Sequence, residues 1–136
     1  MVESLDRKHW ELIPSSSIGG LDFGRSCILV RKELGEPIRT IKKTANAIGV
    51  TDVYPSFHVY YAKGNTLEAI EFFGNDVSLS IDSQILFPGT LSEAKKVLPD
   101  LEESYGSYIS KSTSIGIGVE GDTIVSVLVG CKDYYS

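Results

Sequence analysis

An internal repeat limits the folds open to this 136-residue chain. Displaced by 64 residues, Leu21-Asp22-Phe23 falls on Ile85-Leu86-Phe87, Ser26 on Thr90, Arg31-Lys32 on Lys95-Lys96 and Leu34 on Leu98. Further along the offset becomes 57, so that Lys63-Gly64-Asn65-Thr66-Leu67 falls on Glu120-Gly121-Asp122-Thr123-Ile124 and Ile70 on Val127. The seven-residue change of offset implies a shorter connector in the second copy. Repeated supersecondary units cannot each bury an apolar face alone, so the two copies must share a core. The expectation is a single domain over 1–136 with a pseudo-repeat at approximately 18–81 and 82–131.

Both copies follow the same plan. A hydroxyl residue that can cap a helix opens each one, Ser26 in the first and Thr90 in the second. Thr90-Leu-Ser-Glu93 has the spacing of a capping box, and Leu91, Ala94, Val97 and Leu98 follow at helical spacing up to Pro99. In the first copy Ile28, Leu29 and Leu34 mark a shorter helix closed by Gly35, with Pro37 just beyond. Helices this short are unstable alone in water and have to lie against sheet. Strand signals follow at 57–61 (FHVYY), 66–73, 115–119 and 123–129, with hairpin turns at Gly64-Asn65 and Gly121-Asp122. Residues 77–81 alternate cleanly and are expected to add a third strand to the first sheet. Ile115, Ile117 and Val119 share one face, and the intervening Gly116 and Gly118 imply something packed closely on the other. Residues 38–53 permit a second helical stretch through Ile38, Ile41, Ala45 and Ile48. Residues 100–111 read as the most mobile loop. The fold class expected is α+β: two tandem helix-plus-antiparallel-meander units, with the helices packed on one face of the sheets.

Composition is that of an ordinary globular domain, with 42% hydrophobic and 23% charged residues. No apolar run approaches the roughly 20 residues a spanning helix needs. The opening MVESLDRKHWELIP lacks the apolar centre of a signal peptide and a cysteine for lipidation, so a cytoplasmic location is expected. Charge is uneven. Residues 1–68 hold nine Lys/Arg and eight Asp/Glu, whereas residues 69–136 hold four and ten. So negative a half repels phosphate backbones and favours encounter with a basic protein.

Few residues suggest catalysis. His9 and His58 are the only histidines and have no ligand-spaced neighbours, so no metal and no cofactor are expected. Cys27 and Cys131 adjoin apolar residues and read as inert thiols, although a Cys27–His58 nucleophile pair remains open. The stretch 15–20 lacks the Gly-Lys-Ser/Thr ending of a phosphate loop, and 117–121 leads into a strand where a dinucleotide loop would lead into a helix. Arg31-Lys32 and Lys42-Lys43 read as solvated helix faces without stacking aromatics, not as a nucleic-acid groove. The most distinctive composition sets acids beside tyrosines in the second half. Tyrosine gives a large rigid contact, and carboxylates give complementarity to Lys and Arg. The candidate partner-binding residues are Asp100, Glu102, Glu103, Tyr105, Tyr108, Asp122 and Asp133.

The pattern Leu21-Asp-Phe-Gly24-Arg-Ser26, Leu34-Gly35-Glu-Pro37, Val59-Tyr-Tyr, then Gly64-Asn65-Thr-Leu67-Glu-Ala-Ile70-Glu-Phe72 resembles two groups of proteins. One is the small bacterial immunity proteins of contact-dependent and polymorphic toxin systems. The other is the helix-then-meander module of small outer-membrane assembly lipoproteins. The first resemblance implies a non-enzymatic antitoxin that neutralises a basic toxin domain, with a nuclease the expected kind, and that touches neither nucleic acid nor membrane. The second implies a structural or assembly scaffold. A small ligand-binding protein is the third possibility.

Overall fold

The computed structural model describes residues 9–42, 49–74 and 76–135. The described residues form thirteen strands and two helices arranged as two sheets, so the protein is predominantly β. The expected α+β class, with helices covering one face of the sheets, is overturned. The reason is size: α1 (Cys27–Leu34) buries Cys27, Val30 and Leu34, and α2 (Leu91–Val97) buries Leu91 and Ala94. Helices this small cannot cover an eight-stranded sheet. A second sheet does so.

The large sheet joins two four-stranded meanders. The first is β4 (Arg39–Ile41), β5 (Thr51–Val53), β6 (Phe57–Tyr61) and β7 (Leu67–Phe72). The second is β10 (Glu102–Ser104), β11 (Ser107–Ser110), β12 (Ile115–Glu120) and β13 (Thr123–Gly130). Each meander starts at an outer edge and runs inward, and β7 meets β13 antiparallel at the centre. The small sheet has the order β3 (Leu21–Asp22), β2 (Ser17–Ile18), β1 (His9–Ile13), β8 (Ser78–Ile81) and β9 (Gln84–Phe87). Each helix carries the chain from the small sheet to an outer edge of the large one, α1 from β3 to β4 and α2 from β9 to β10.

Both helices start from the same backbone clasp. The Cys27 N–H donates to the Asn65 carbonyl at 2.8 Å, and the Leu91 N–H to the Asp122 carbonyl at 2.7 Å. The Leu67 N–H donates to Arg25 O at 2.8 Å, and the Ile124 N–H to Gly89 O at 3.0 Å. These pairs are separated by the offsets of 64 and 57 seen in the sequence. Ser26 caps α1 by accepting from the Leu29 N–H, and Thr90 caps α2 by accepting from the Glu93 N–H at 3.2 Å. The Glu93 carboxylate turns towards Lys96.

Three local expectations are corrected. Residues 77–81 do form a strand, β8, but it joins the small sheet, pairing in parallel with β1 (His9 opposite Ser78, Leu12 opposite Ile81). The apolar alternation of Trp10 and Leu12 supplies an inner face that matches Leu79 and Ile81. Within 38–53 the described ends form β4 and β5, not helix, and the remainder of the supposed helical stretch, with Ala45, Ile48 and Lys43, lies outside the described residues. Residues 102–110 form the β10–β11 hairpin rather than a mobile loop, because β11 pairs along its whole length with β12.

Trp10 sits at the centre of the core, fully buried, with its ring 5.1 Å from Phe57 and 5.0 Å from Phe72 in edge-on contact. It thereby pins the small sheet to the middle of the large one. At the β4 side, Arg31 on α1 makes a forked pair with the fully buried Asp52 carboxylate, both bonds 2.7 Å, and Thr40 adds a third bond to the same carboxylate at 2.8 Å. The solvated face expected for Arg31-Lys32 therefore holds for exposed Lys32 alone. Nearby, the Tyr54 hydroxyl donates to the Gly35 carbonyl that ends α1. No helix among the described residues is long and apolar enough to cross a membrane.

Two stability predictions follow from this core. Trp10→Ala should cost about 3–5 kcal/mol in urea or guanidinium unfolding, as expected for loss of a large buried ring. Arg31→Met should cost about 3 kcal/mol because it strands a buried carboxylate, and adding Asp52→Leu should recover most of that loss. Chemical denaturation of the single and double variants checks the cycle.

Candidate functional site

The registers of the large sheet place one row of residues across all eight strands on its outer face. From one edge to the other it reads Arg39, Val53, His58, Glu71, Leu128, Gly116, Ile109 and Glu102. A neighbouring row on the same face reads Ser126, Gly118, Ser107 and Ser104. Inward-pointing Ile115, Ile117, Val127 and Val129 alternate with these and lie in the core. The outer face thus carries an apolar and hydroxyl-bearing strip with a carboxylate at either end, Glu71 and Glu102.

Along this strip runs a groove of about 280 Å³, bordered by Glu71, Ser104, Tyr105, Ser107, Ser126, Leu128 and Tyr135. Gly116 and Gly118 form its floor. The close packing that the sequence implied at these glycines is present. A Cβ on Gly116 would lie 2.2 Å from the Tyr135 hydroxyl, and one on Gly118 would lie 2.5 Å from Ser126 Oγ. Tyr134 and Tyr135 follow the turn after β13 and fold back over this face, with the Tyr134 ring against Gly130 and the two rings 5.1 Å apart. Glu71 accepts a 2.6 Å bond from the Tyr60 hydroxyl. Burial, with the charge of Glu71 nearby, pushes the Tyr135 phenol up to about 12, so it remains a neutral donor near neutral pH. A second cavity, bordered by Glu102, Glu103 and Lys111, shares Ser104 and Ile109 with the groove.

The seven residues singled out in the sequence are only partly gathered. Glu102, Glu103 and Tyr105 lie together on the β10–β11 hairpin. Tyr105 is fully exposed at the tip with φ 52°, and neither glutamate is in an ion pair among the described residues. Tyr108 is on the same hairpin but pairs with Ile117, placing it on the opposite face, where Lys95 Nζ lies 5.5 Å from its ring centre. The Asp100 carboxylate is engaged internally, accepting from Ser110 Oγ at 2.6 Å and from the Ser112 hydroxyl and N–H at 2.7 and 3.2 Å. Asp122 accepts from the Ser92 N–H and hydroxyl at the start of α2. Asp133 sits in the turn beyond β13, with φ 64°. Glu71, Tyr135 and Ser126 were not singled out as site residues, because their proximity depends on pairing between strands distant in sequence. The glycine pair was the available signal.

The possible Cys27–His58 pair is not formed. Cys27 is buried against the core beside Tyr61, whereas His58 alternates to the outer face, its ring 4.8 Å from that of Phe73. Burial pushes the Cys131 thiol up, away from the reactive thiolate. His9 lies between two serines on the outer face of the small sheet, 2.7 Å from Ser78 Oγ and 3.1 Å from Ser80 Oγ. Glu11 is bonded to Ser80 rather than to the imidazole, so these residues lack the acid–imidazole–hydroxyl order of a nucleophilic triad. Among the described residues no three His, Cys, Asp or Glu side chains converge as a metal site. No protein-family model, curated protein or solved structure matches the chain.

The Asp100 latch makes a pH prediction. Although burial alone would raise it, the bonds from Ser110 and Ser112 hold this carboxyl below its ordinary value. A group depressed in the folded state stabilises fully above its unfolded pKa and loses that contribution as pH falls through the folded value. Asp100→Asn should therefore destabilise at pH 7 by about 1 kcal/mol and reduce the loss of stability below about pH 4. Thermal unfolding of both proteins between pH 2 and pH 7, on the order of steps of one unit, measures the difference.

Proposed function

We propose that this protein is a non-enzymatic binder of a basic protein, acting as an immunity protein that neutralises a cationic toxin domain of the nuclease kind in the cytoplasm. The observation that carries this reading is the β10–β11 hairpin. Its fully exposed Tyr105 follows Glu102 and Glu103, neither of which is in an ion pair among the described residues, although Lys111 borders the same cavity. An exposed tyrosine held at a turn offers a rigid apolar anchor, and unpaired carboxylates beside it steer a positively charged partner. A nuclease must be basic to hold a phosphate backbone, so a negative surface can occupy the place of the displaced phosphates. The excess of acids over bases in residues 69–136, ten against four, extends the same field over the half of the chain that includes the hairpin.

Among the remaining candidates, Asp100 and Asp122 act within the protein, as a turn latch and a helix-start acceptor. The binding role is accordingly assigned to Glu102, Glu103 and Tyr105. The double variant Glu102→Lys/Glu103→Lys should fold normally, since both side chains are exposed. Used as bait in lysate of the source cells beside the wild type, it should lose a basic protein that the wild type retains. That protein, expressed alone, should arrest growth, and co-expression of the wild type should restore it. For the purified pair, the reversal should slow association at low salt by about ten-fold or more. Equal capture by both baits, or a captured protein that is not basic, would overturn the reading.

A further inference from the structure

We infer that the glycine-floored groove on the outer face of the large sheet is a receptor for an arginine side chain. The inference rests on the reading of the protein as a binder of a basic partner and names the contact at its centre. The groove and the cavity beside Glu102 share Ser104 and Ile109, so the slot continues into the acidic hairpin. A chain seated on Tyr105 would pass directly over it.

The lining is selective. Without side chains of their own, Gly116 and Gly118 let the Tyr135 phenol and Ser126 Oγ lie against the backbone, so the bed of the groove is that phenol and a row of hydroxyls. The Glu71 carboxylate stands at one end, oriented by the Tyr60 hydroxyl. Ser107 and Ser126 add hydroxyl acceptors along the second row. Among the described residues no lysine or arginine borders the groove itself, and Lys111 borders the adjoining cavity beside Glu102 and Glu103.

A planar, weakly hydrated guanidinium suits such a bed. It can lie against a ring, direct N–H groups in its own plane to a carboxylate, and lose little hydration in doing so. An ammonium is a compact, strongly hydrated charge that requires acceptors converging on one point, and here the acceptors are spread along a row. Arginine is also enriched among residues that dominate binding energy at protein interfaces.

The test uses the intact protein and a defined probe, Nα-acetyl-arginine amide, followed through the amide resonances of Gly116 and Gly118. Saturable shifts are expected in the wild type, with weaker shifts for the lysine analogue. Affinity should fall about ten-fold in Glu71→Gln, the loss expected for one charge-assisted contact. Tyr135→Ala, which removes a wall without touching the charge, should weaken binding as well, and circular dichroism establishes that each variant is folded. Absence of saturation in the wild type, or unchanged affinity in folded Glu71→Gln, overturns the assignment. If the amide fails to bind while Glu102→Lys/Glu103→Lys still abolishes partner capture, the groove assignment falls and the partner reading stands. If the amide binds but charge reversal leaves capture intact, the partner reading falls, and with it the assignment of a protein occupant.

Discussion

The apolar inner face of the eight-stranded sheet has to be covered, and nearly everything else in the molecule serves that requirement. Phe57, Val59, Ile70, Phe72, Ile115, Ile117, Val127 and Val129 present a continuous apolar surface from four adjacent strands. At about 25 cal/mol per Å² of apolar area removed from water, an exposed surface of that extent would forfeit a large part of the free energy that holds a domain folded. The small sheet covers it, and Trp10 is the contact that fixes where the cover sits. The parallel pairing of β1 with β8 is part of the same solution, because it unites a strand from near the start of the described chain with one from its middle into a single lid.

With the inner face occupied, recognition is left to the edges and the outer face. The two outer strands of the large sheet differ in sign: β4 begins with Arg39 and is followed by Lys42, whereas β10 begins with Glu102 and Glu103. Charged residues on short edge strands discourage pairing with other sheets while leaving hairpin tips available for contact. The groove arises from a related economy. Gly116 on β12 and Gly130 on β13 let Tyr135 and Tyr134 lie against the backbone, and the groove runs beside them.

Much of the local structure was legible in advance. Ser26 and Thr90 cap helices, Gly64-Asn65 and Gly121-Asp122 turn hairpins, and Gly116 and Gly118 lie under a close neighbour, as the sequence implied. Such features depend on interactions within a few residues or on one strand's alternation. Strand β1 is hard to read in the sequence because HWELI is short and includes two charged or polar side chains, so its pairing is decided by β8, sixty-nine residues away at His9 and Ser78. The segment 102–110 reads as a loop because its serines, glycine and acids outnumber the strand-favouring Tyr105, Tyr108 and Ile109. Pairing with β12 and the Asp100 latch impose the strand. Of the acids considered for binding, composition could not separate Asp100 and Asp122, which hold the fold together, from Glu102 and Glu103, which face water.

The sequence by itself determined the caps, the turns, the alternation of inner and outer residues and the uneven charge, because each is set by neighbours along the chain. Only the tertiary structure decided that the cover would be a sheet, that residues 77–81 would join it, and that Glu71, Tyr135 and the two glycines of β12 would border one groove. Those outcomes depend on which apolar faces meet, and that is a competition among long-range pairings that no local pattern resolves.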